Sequence, residues 1–151
     1  MKKTLIIIIA LLSFVCTNAQ NLDLEYVRSN YDKAIKDEKL CKSLIEALSK
    51  NTGSNIHLAY LGAFQTIWAN HTFSPISKLS TFKKGKLNIE KAIKENQSNI
   101  ETRFIRLSIQ KNCPSFLGYK QNIEEDKQFI TINKDKITSG ILLQLVNNIL
   151  Q

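Results

Sequence analysis

Apolar side chains recur along this chain at intervals of three and four residues, the spacing that places them on one face of an α-helix. The strict alternation of apolar and polar residues that marks a half-buried strand is absent from the sequence. Only five glycines and two prolines occur in 151 residues, so few positions interrupt the helical pattern. The spacing therefore predicts an all-α fold of about six to seven helices.

We expect these helices over about 22–36, 38–50, 55–70, from Pro75 onward, 99–111, 120–132 and 135–150. The third is apolar almost all round, which predicts the most buried element. Gly62 would let another helix approach it closely, and Gly85 is a candidate break in the long fourth helix. Five apolar residues of that fourth helix are predicted to face inward: Ile76, Leu79, Phe82, Ile89 and Ile93.

The N-terminus has the three parts of a secretion signal. Lys2 and Lys3 precede an apolar run over 4–16, and small residues then stand at the −3 and −1 positions of a cleavage site before Gln20. We predict a signal peptide over 1–19 and a single α-helical domain over 20–151, periplasmic or secreted. After cleavage no transmembrane segment is expected. The abundance of isoleucine, lysine and asparagine is typical of an AT-rich bacterial genome.

Two other interpretations of this segment are disfavoured. The apolar run is short for a membrane anchor, which needs about 20 residues. Cys16 stands where a lipid-bearing cysteine would be, but Val15 precedes it where lipoprotein signals carry a small residue.

The net charge of +8 falls to +6 once Lys2 and Lys3 are removed with the signal. Only three of the basic residues are arginines, which grip phosphate better than lysines do. An excess of dispersed lysine is typical of a soluble protein, so we do not expect nucleic acid as a partner.

A weak internal repeat accompanies the helical pattern. The triplet at 54–56, Ser-Asn-Ile, recurs 44 residues later at 98–100, and helix pairs would begin near 22, 55, 99 and 135. Tyr60-Leu61-Gly62 followed by Phe64, and the run from Ala92 to Gln97, resemble the tetratricopeptide family of helical repeats. In that family the unit is about 34 residues and proline stands where this chain has Gln97.

The resemblance implies a right-handed array of antiparallel helix pairs, used as a protein–protein interaction scaffold rather than for a reaction. The leading hypothesis is therefore an exported helical-repeat protein that binds another protein of the cell envelope, on the side formed by the third and fifth helices. A small periplasmic ligand-binding protein or hydrolase with a pocket near His57 and Arg103 is the alternative. A stress- or toxin-neutralising envelope protein is a third hypothesis.

The reactive residue types do not form known motifs in the sequence. His57 and His71 lack the close spacing of zinc ligands, and no nucleophile motif or glycine-rich phosphate loop is found. We therefore predict no enzyme activity, metal or cofactor. An oxidising compartment would permit a disulfide between Cys41 and Cys113, although Cys41 also fits a helix stripe as a buried free thiol.

Four residues are candidates for contact with a partner: Arg103, Arg106, Phe116 and Tyr119. Arg103 and Arg106 are neighbours on one helix face and offer a fork for an acidic group. The favoured alternative is that they pair internally with Glu101 or with the acidic residues at 124–126. Phe116 and Tyr119 lie in a loop that is either an exposed anchor or, more in keeping with such loops, folded onto the core.

Overall fold

The computed structural model describes residues 22–51 and 53–151 of the chain. Within these ranges the chain forms seven α-helices and three single turns of 3-10 helix, and it contains no strand, so the all-α prediction is confirmed. The predicted signal peptide, its cleavage site before Gln20 and Cys16 lie outside the described residues. The helices are α1 (Leu24–Ser29), α2 (Glu38–Ser49), α3 (Asn55–His71), α4 (Pro75–Glu95), α5 (Ile100–Asn112), α6 (Ile123–Asn133) and α7 (Gly140–Leu150).

Short polar side chains fix where most of these helices begin. Each accepts a hydrogen bond from a backbone N–H in the first turn, a group that has no partner inside the helix. Pro75 follows one of these caps at the first helical position, where its missing N–H costs nothing. The capping residues are Asp23, Asp37, Ser54, Ser74, Asn99 and Ser139.

The two identical triplets do not start their helices in the same register. Ser54 caps α3, whereas Asn99, the second residue of the other triplet, caps α5. Each cap satisfies orphan N–H groups in its own helix, which is a local requirement. The repeated triplet therefore reflects the similar residues with which two helices begin.

Three predicted helices differ from those observed. The first ends at Ser29 instead of near 36, and a 3-10 turn at Lys33–Ile35 follows it. The last begins at Gly140, after a 3-10 turn at Lys134–Lys136. The predicted break at Gly85 is wrong, because α4 continues through it over 21 residues.

Helices α3 and α4 form the most extensive helix contact in the described chain. A Cβ atom added at Gly62 would lie 2.6 Å from the backbone oxygen of Gly85, so these glycines let the two backbones approach closely. Residues 57–67 of α3 are all buried, as the sequence predicts. A single hydrophobic cluster takes side chains from all seven helices and contains α3 at its centre.

The inward face of α4 is shorter than predicted. Phe82, Ile89 and Ile93 are buried, but Ile76 is 83% exposed and Leu79 is 43% exposed. The first turns of α4 are exposed, and a cavity lies between them and the neighbouring helices. This difference brings apolar side chains to the surface at one end of the molecule.

Candidate functional site

An apolar groove of about 530 Å³ opens between the C-terminal halves of α3, α5 and α7 and the first turns of α4. The segment 31–35 and the loop at 113–117 complete its walls. We call this site the apolar groove; its large apolar lining side chains include Ile35, Ile67, Leu79, Phe104, Phe116 and Ile149.

The wall of the groove nearest the core is aromatic and fixed. The ring of Tyr31 lies 5.9 Å from the ring of Phe104 and 5.9 Å from that of Phe64. Its hydroxyl donates a hydrogen bond to Ser108 Oγ over 3.2 Å. Burial raises the pKa of this hydroxyl, so Tyr31 stays protonated and continues to donate.

The rim of the groove carries apolar side chains that face solvent. Ile35 and Leu79 are each nearly half exposed, and Phe116 is 86% exposed. These three residues come from three separate segments of the chain, yet they line one site. A contiguous apolar surface of this kind is typical of a binding site.

Arg106, a candidate for contact with a partner, is instead buried in an ion pair. Its Nε and Nη2 atoms donate to the two carboxylate oxygens of Asp126 over 2.6 and 2.7 Å, and Nη1 lies 3.2 Å from Glu90. Burial by itself lowers the pKa of this guanidinium, but the hydrogen bonds and charge of Asp126 outweigh burial and raise it. The side chain is therefore already occupied within the protein.

Arg103 joins the same set of charges. Its Nη1 donates to Asp126 over 3.0 Å and to Glu125 over 2.5 Å, and its guanidinium lies over the ring of Phe129. The internal pairing with residues 124–126 that the sequence favours is thus confirmed. We call Glu90, Arg103, Arg106, Glu125 and Asp126 the arginine cluster.

Glu101 is not part of that cluster, contrary to one of the predicted alternatives. It accepts hydrogen bonds from Arg28 Nε and Nη2 over 2.7 and 2.6 Å and from the hydroxyl of Tyr60 over 2.8 Å. These bonds join α1, α3 and α5. A polar recess of about 360 Å³ opens beside Arg28 and Glu101, whose charges are already paired with each other.

The two candidate anchors in the loop after α5 lie in different environments. Tyr119 is buried, and its hydroxyl donates to Glu90 over 2.6 Å, so the prediction that it contacts a partner is wrong. Phe116 is exposed on the rim of the apolar groove and remains a candidate. Gly118 lies between them with a φ of 59°, a left-handed conformation that favours glycine and turns the loop back to the core.

His57 and Arg103, near which the alternative pocket was predicted, lie outside the two cavities described above. His57 Nε2 lies 2.7 Å from the backbone oxygen of Leu22, and Arg103 is held by carboxylates. The groove lies instead at the opposite end of α3, next to Asn70.

Cys41 and Cys113 are both buried, free thiols, so the disulfide that the compartment would permit is not formed. Cys41 donates to the backbone oxygen of Phe64, and Cys113 donates to that of Tyr119. Burial raises the pKa of the Cys41 thiol to about 12 and also raises that of Cys113. Both are therefore poor nucleophiles at neutral pH.

Comparisons of this chain with protein-family models, with curated proteins and with solved structures found no match. Among residues 22–51 and 53–151, no group of three histidine, cysteine or acidic side chains is placed to hold a metal ion. The described helices also include none with the length and apolar character needed to cross a membrane.

Proposed function

We propose that this chain is an interaction scaffold of the cell envelope that binds an apolar segment of another protein in the apolar groove. The observation that carries the proposal is the shared position of Ile35, Leu79 and Phe116, which line one groove from three segments while exposed to solvent. Covering such side chains is favourable by about 25 cal/mol for each Å² of apolar surface removed from water.

The exposure of the rim favours a macromolecule over a small ligand. A volume of about 530 Å³ is within the range of small-molecule sites, which is about 300–1,000 Å³. A ligand confined to that volume, however, would leave most of Phe116 in water. A protein segment fills the groove with one or two anchor side chains and covers the rim with its own backbone.

A tetratricopeptide-like array of antiparallel helix pairs, exported to the envelope, is part of this proposal. Two contacts between α3 and α4 support it, because Gly62 meets Ile89 whereas Thr66, one turn further along α3, meets Gly85. The contacts thus run in opposite directions along the two helices. The groove also takes its lining from α3 and α5, the two helices from which the sequence predicts the binding side.

The proposal is tested with a displayed library of short peptides selected against the immobilised protein. Enriched peptides are synthesised with a fluorophore, and their dissociation constants are measured by anisotropy. We expect peptides with two or more large apolar side chains, and we expect Phe116→Ala and Leu79→Ser each to weaken binding by about 10- to 100-fold.

Ile132→Ser is the matched control, because Ile132 is exposed on α6 and does not line the groove. Equal binding by the wild type and both groove variants would exclude the groove as the site. In another outcome no peptide is enriched, but a fluorescent fatty-acid analogue binds the wild type and does not bind the Leu79→Trp variant. The protein is then a small-ligand carrier and the proposal is wrong.

A further inference from the structure

The outward side of α4 combines exposed apolar side chains with lysines. Ile76 is 83% exposed and Leu87 is 69% exposed. Lys83 lies between them in the sequence and Lys94 follows them, and both lysines are exposed. At about 100° per residue, these four positions lie within about 40° of one another around the helix. We call this surface the lysine face; Lys84 and Lys91 are exposed along one side of it.

The lysines of this face have no partner within the part of the chain that the structure describes. Every ion pair there uses an arginine, and Lys83, Lys84, Lys91 and Lys94 donate no hydrogen bond. Of the two acidic residues of α4, Glu90 is held by Arg106 and Tyr119, and Glu95 lies at the C-terminal end. The four lysines therefore present a net positive charge that only Glu95, at the C-terminal end of α4, offsets in part.

The exposed apolar residues distinguish this face from a helix face that carries only hydrated polar side chains. Phe73, just before α4, is fully exposed, and Ile76 follows it one turn later. A helix side that mixes lysine with Phe, Leu or Ile is typical of helices that lie in the interface of a membrane. In that position the apolar side chains enter the headgroup boundary while the lysines contact anionic lipid headgroups.

We propose that the lysine face of α4, together with Phe73, binds the surface of an anionic lipid bilayer with the helix axis parallel to the membrane plane. The four lysines are spread over residues 83–94, which is about 16 Å of helix. An anionic bilayer offers negative charge at every point along that length, whereas a protein partner would need carboxylates placed to match. The proposal does not depend on what the apolar groove binds.

The test is co-sedimentation of the exported protein with vesicles of phosphatidylglycerol and phosphatidylcholine. Mass spectrometry first identifies the N-terminal residue of the protein that is used. We expect partitioning onto vesicles rich in phosphatidylglycerol, little onto pure phosphatidylcholine, and a steep loss as salt rises. Each lysine near an anionic surface is worth about a fivefold change in partitioning. Replacing Lys83, Lys84, Lys91 and Lys94 with glutamine should therefore reduce binding by at least about 50-fold.

Two control variants are matched to the test variants, one for the lysines and one for the apolar side chain. Lys36, Lys39, Lys42 and Lys50, all exposed outside α4, are changed together to glutamine, which removes the same charge elsewhere. Leu87→Ser is compared with Ile132→Ser, because both side chains are 69% exposed. We expect the controls to keep wild-type binding and Leu87→Ser to lose about three- to tenfold; circular dichroism confirms that each variant is folded.

Three results would overturn the proposal. Equal loss in the two four-lysine variants would show that only net charge matters. Equal binding to neutral vesicles would show that headgroup charge has no role. Binding to soluble polyglutamate without binding to phosphatidylglycerol vesicles would make the face a site for an acidic protein.

Discussion

Arginine and lysine serve opposite purposes in two regions of this molecule. In the described residues all three arginines are in ion pairs with carboxylates, and two of them form the arginine cluster between α5 and α6. The lysines of the lysine face on α4 have no such partners and are exposed. The charge of the arginines is therefore neutralised internally, and lysine provides the positive charge that a partner would meet.

The chemistry of the two side chains explains this division. The planar guanidinium of Arg106 matches both oxygens of Asp126, and burial is tolerated because the pair remains hydrogen-bonded. Lysine is a strongly hydrated point charge, and it stays in water unless an anionic surface replaces that water. Net charge alone does not distinguish these two roles.

The largest effect is expected at the centre of the arginine cluster. Arg106→Ala should lower the free energy of unfolding by about 3–5 kcal/mol, because it leaves the Asp126 carboxylate buried without its main partner. Urea denaturation measures this change without adding salt. Lys127→Ala is the control, because Lys127 is exposed on α6 next to Asp126; a similar loss in both variants would contradict a structural role for the cluster.

A smaller effect is expected at the exposed edge of the same cluster. Hydrogen bonds from Arg103 and Asn122 lower the pKa of the Glu125 carboxyl. A lowered pKa in the folded state stabilises the protein above the unfolded value of about 4.3, and that contribution is lost as the pH falls through the folded pKa. Glu125→Gln should cost about 0.2–1 kcal/mol at pH 7.

The same substitution should cost nothing at a pH below the folded pKa of Glu125, where the wild-type carboxyl is also neutral. Urea denaturation of both proteins at pH 7 and at a series of lower pH values checks this, because the difference should shrink as the pH falls through the folded pKa. A difference that stays constant over the series would show that the glutamine acts through packing.

The smallest effect is expected on the lysine face. Lys84→Ala and Lys91→Ala should each change the free energy of unfolding by no more than about 0.5 kcal/mol, because neither side chain has a partner in the fold. Thermal and urea denaturation check this. A loss of more than about 1 kcal/mol in either variant would mean that the lysines support the fold, and the contrast with the arginine cluster would fail.

Local features could be predicted from the sequence. The starts of the third and fifth helices near 55 and 99 were predicted from the apolar stripes that follow them, and the caps that fix these starts, Ser54 and Asn99, act only within the first turn. The pairing of Arg103 and Arg106 with residues 124–126 was predictable because only one connection separates α5 from α6. The pairing of Arg28 with Glu101 was not, since 73 residues separate them and only the tertiary fold brings the two side chains together.

The candidate site was predictable only in part. Phe116 was identified from its loop, but Leu79 was assigned to the buried face of its helix, and Ile35 was not among the predicted site residues. Helical spacing shows which face of a helix is apolar; it does not show how far along the helix the neighbouring elements extend. Tyr119 follows the alternative that the sequence favoured for its loop, burial onto the core, but its hydrogen-bond acceptor Glu90, on α4, could not be predicted from the loop itself.

The contact between Gly62 and Gly85 has a consequence for the way the groove adapts to what it binds. At Gly62 and Gly85 the backbones of α3 and α4 contact each other directly, and a close-packed contact of this kind resists displacement of one helix against the other. Thr66 and Leu79, which line the groove from these two helices, therefore keep a set separation, and any widening has to come from the other segments that line it, among them the loop that carries Phe116. We expect those segments to adjust to a bound segment while the wall formed by α3 and α4 keeps its shape.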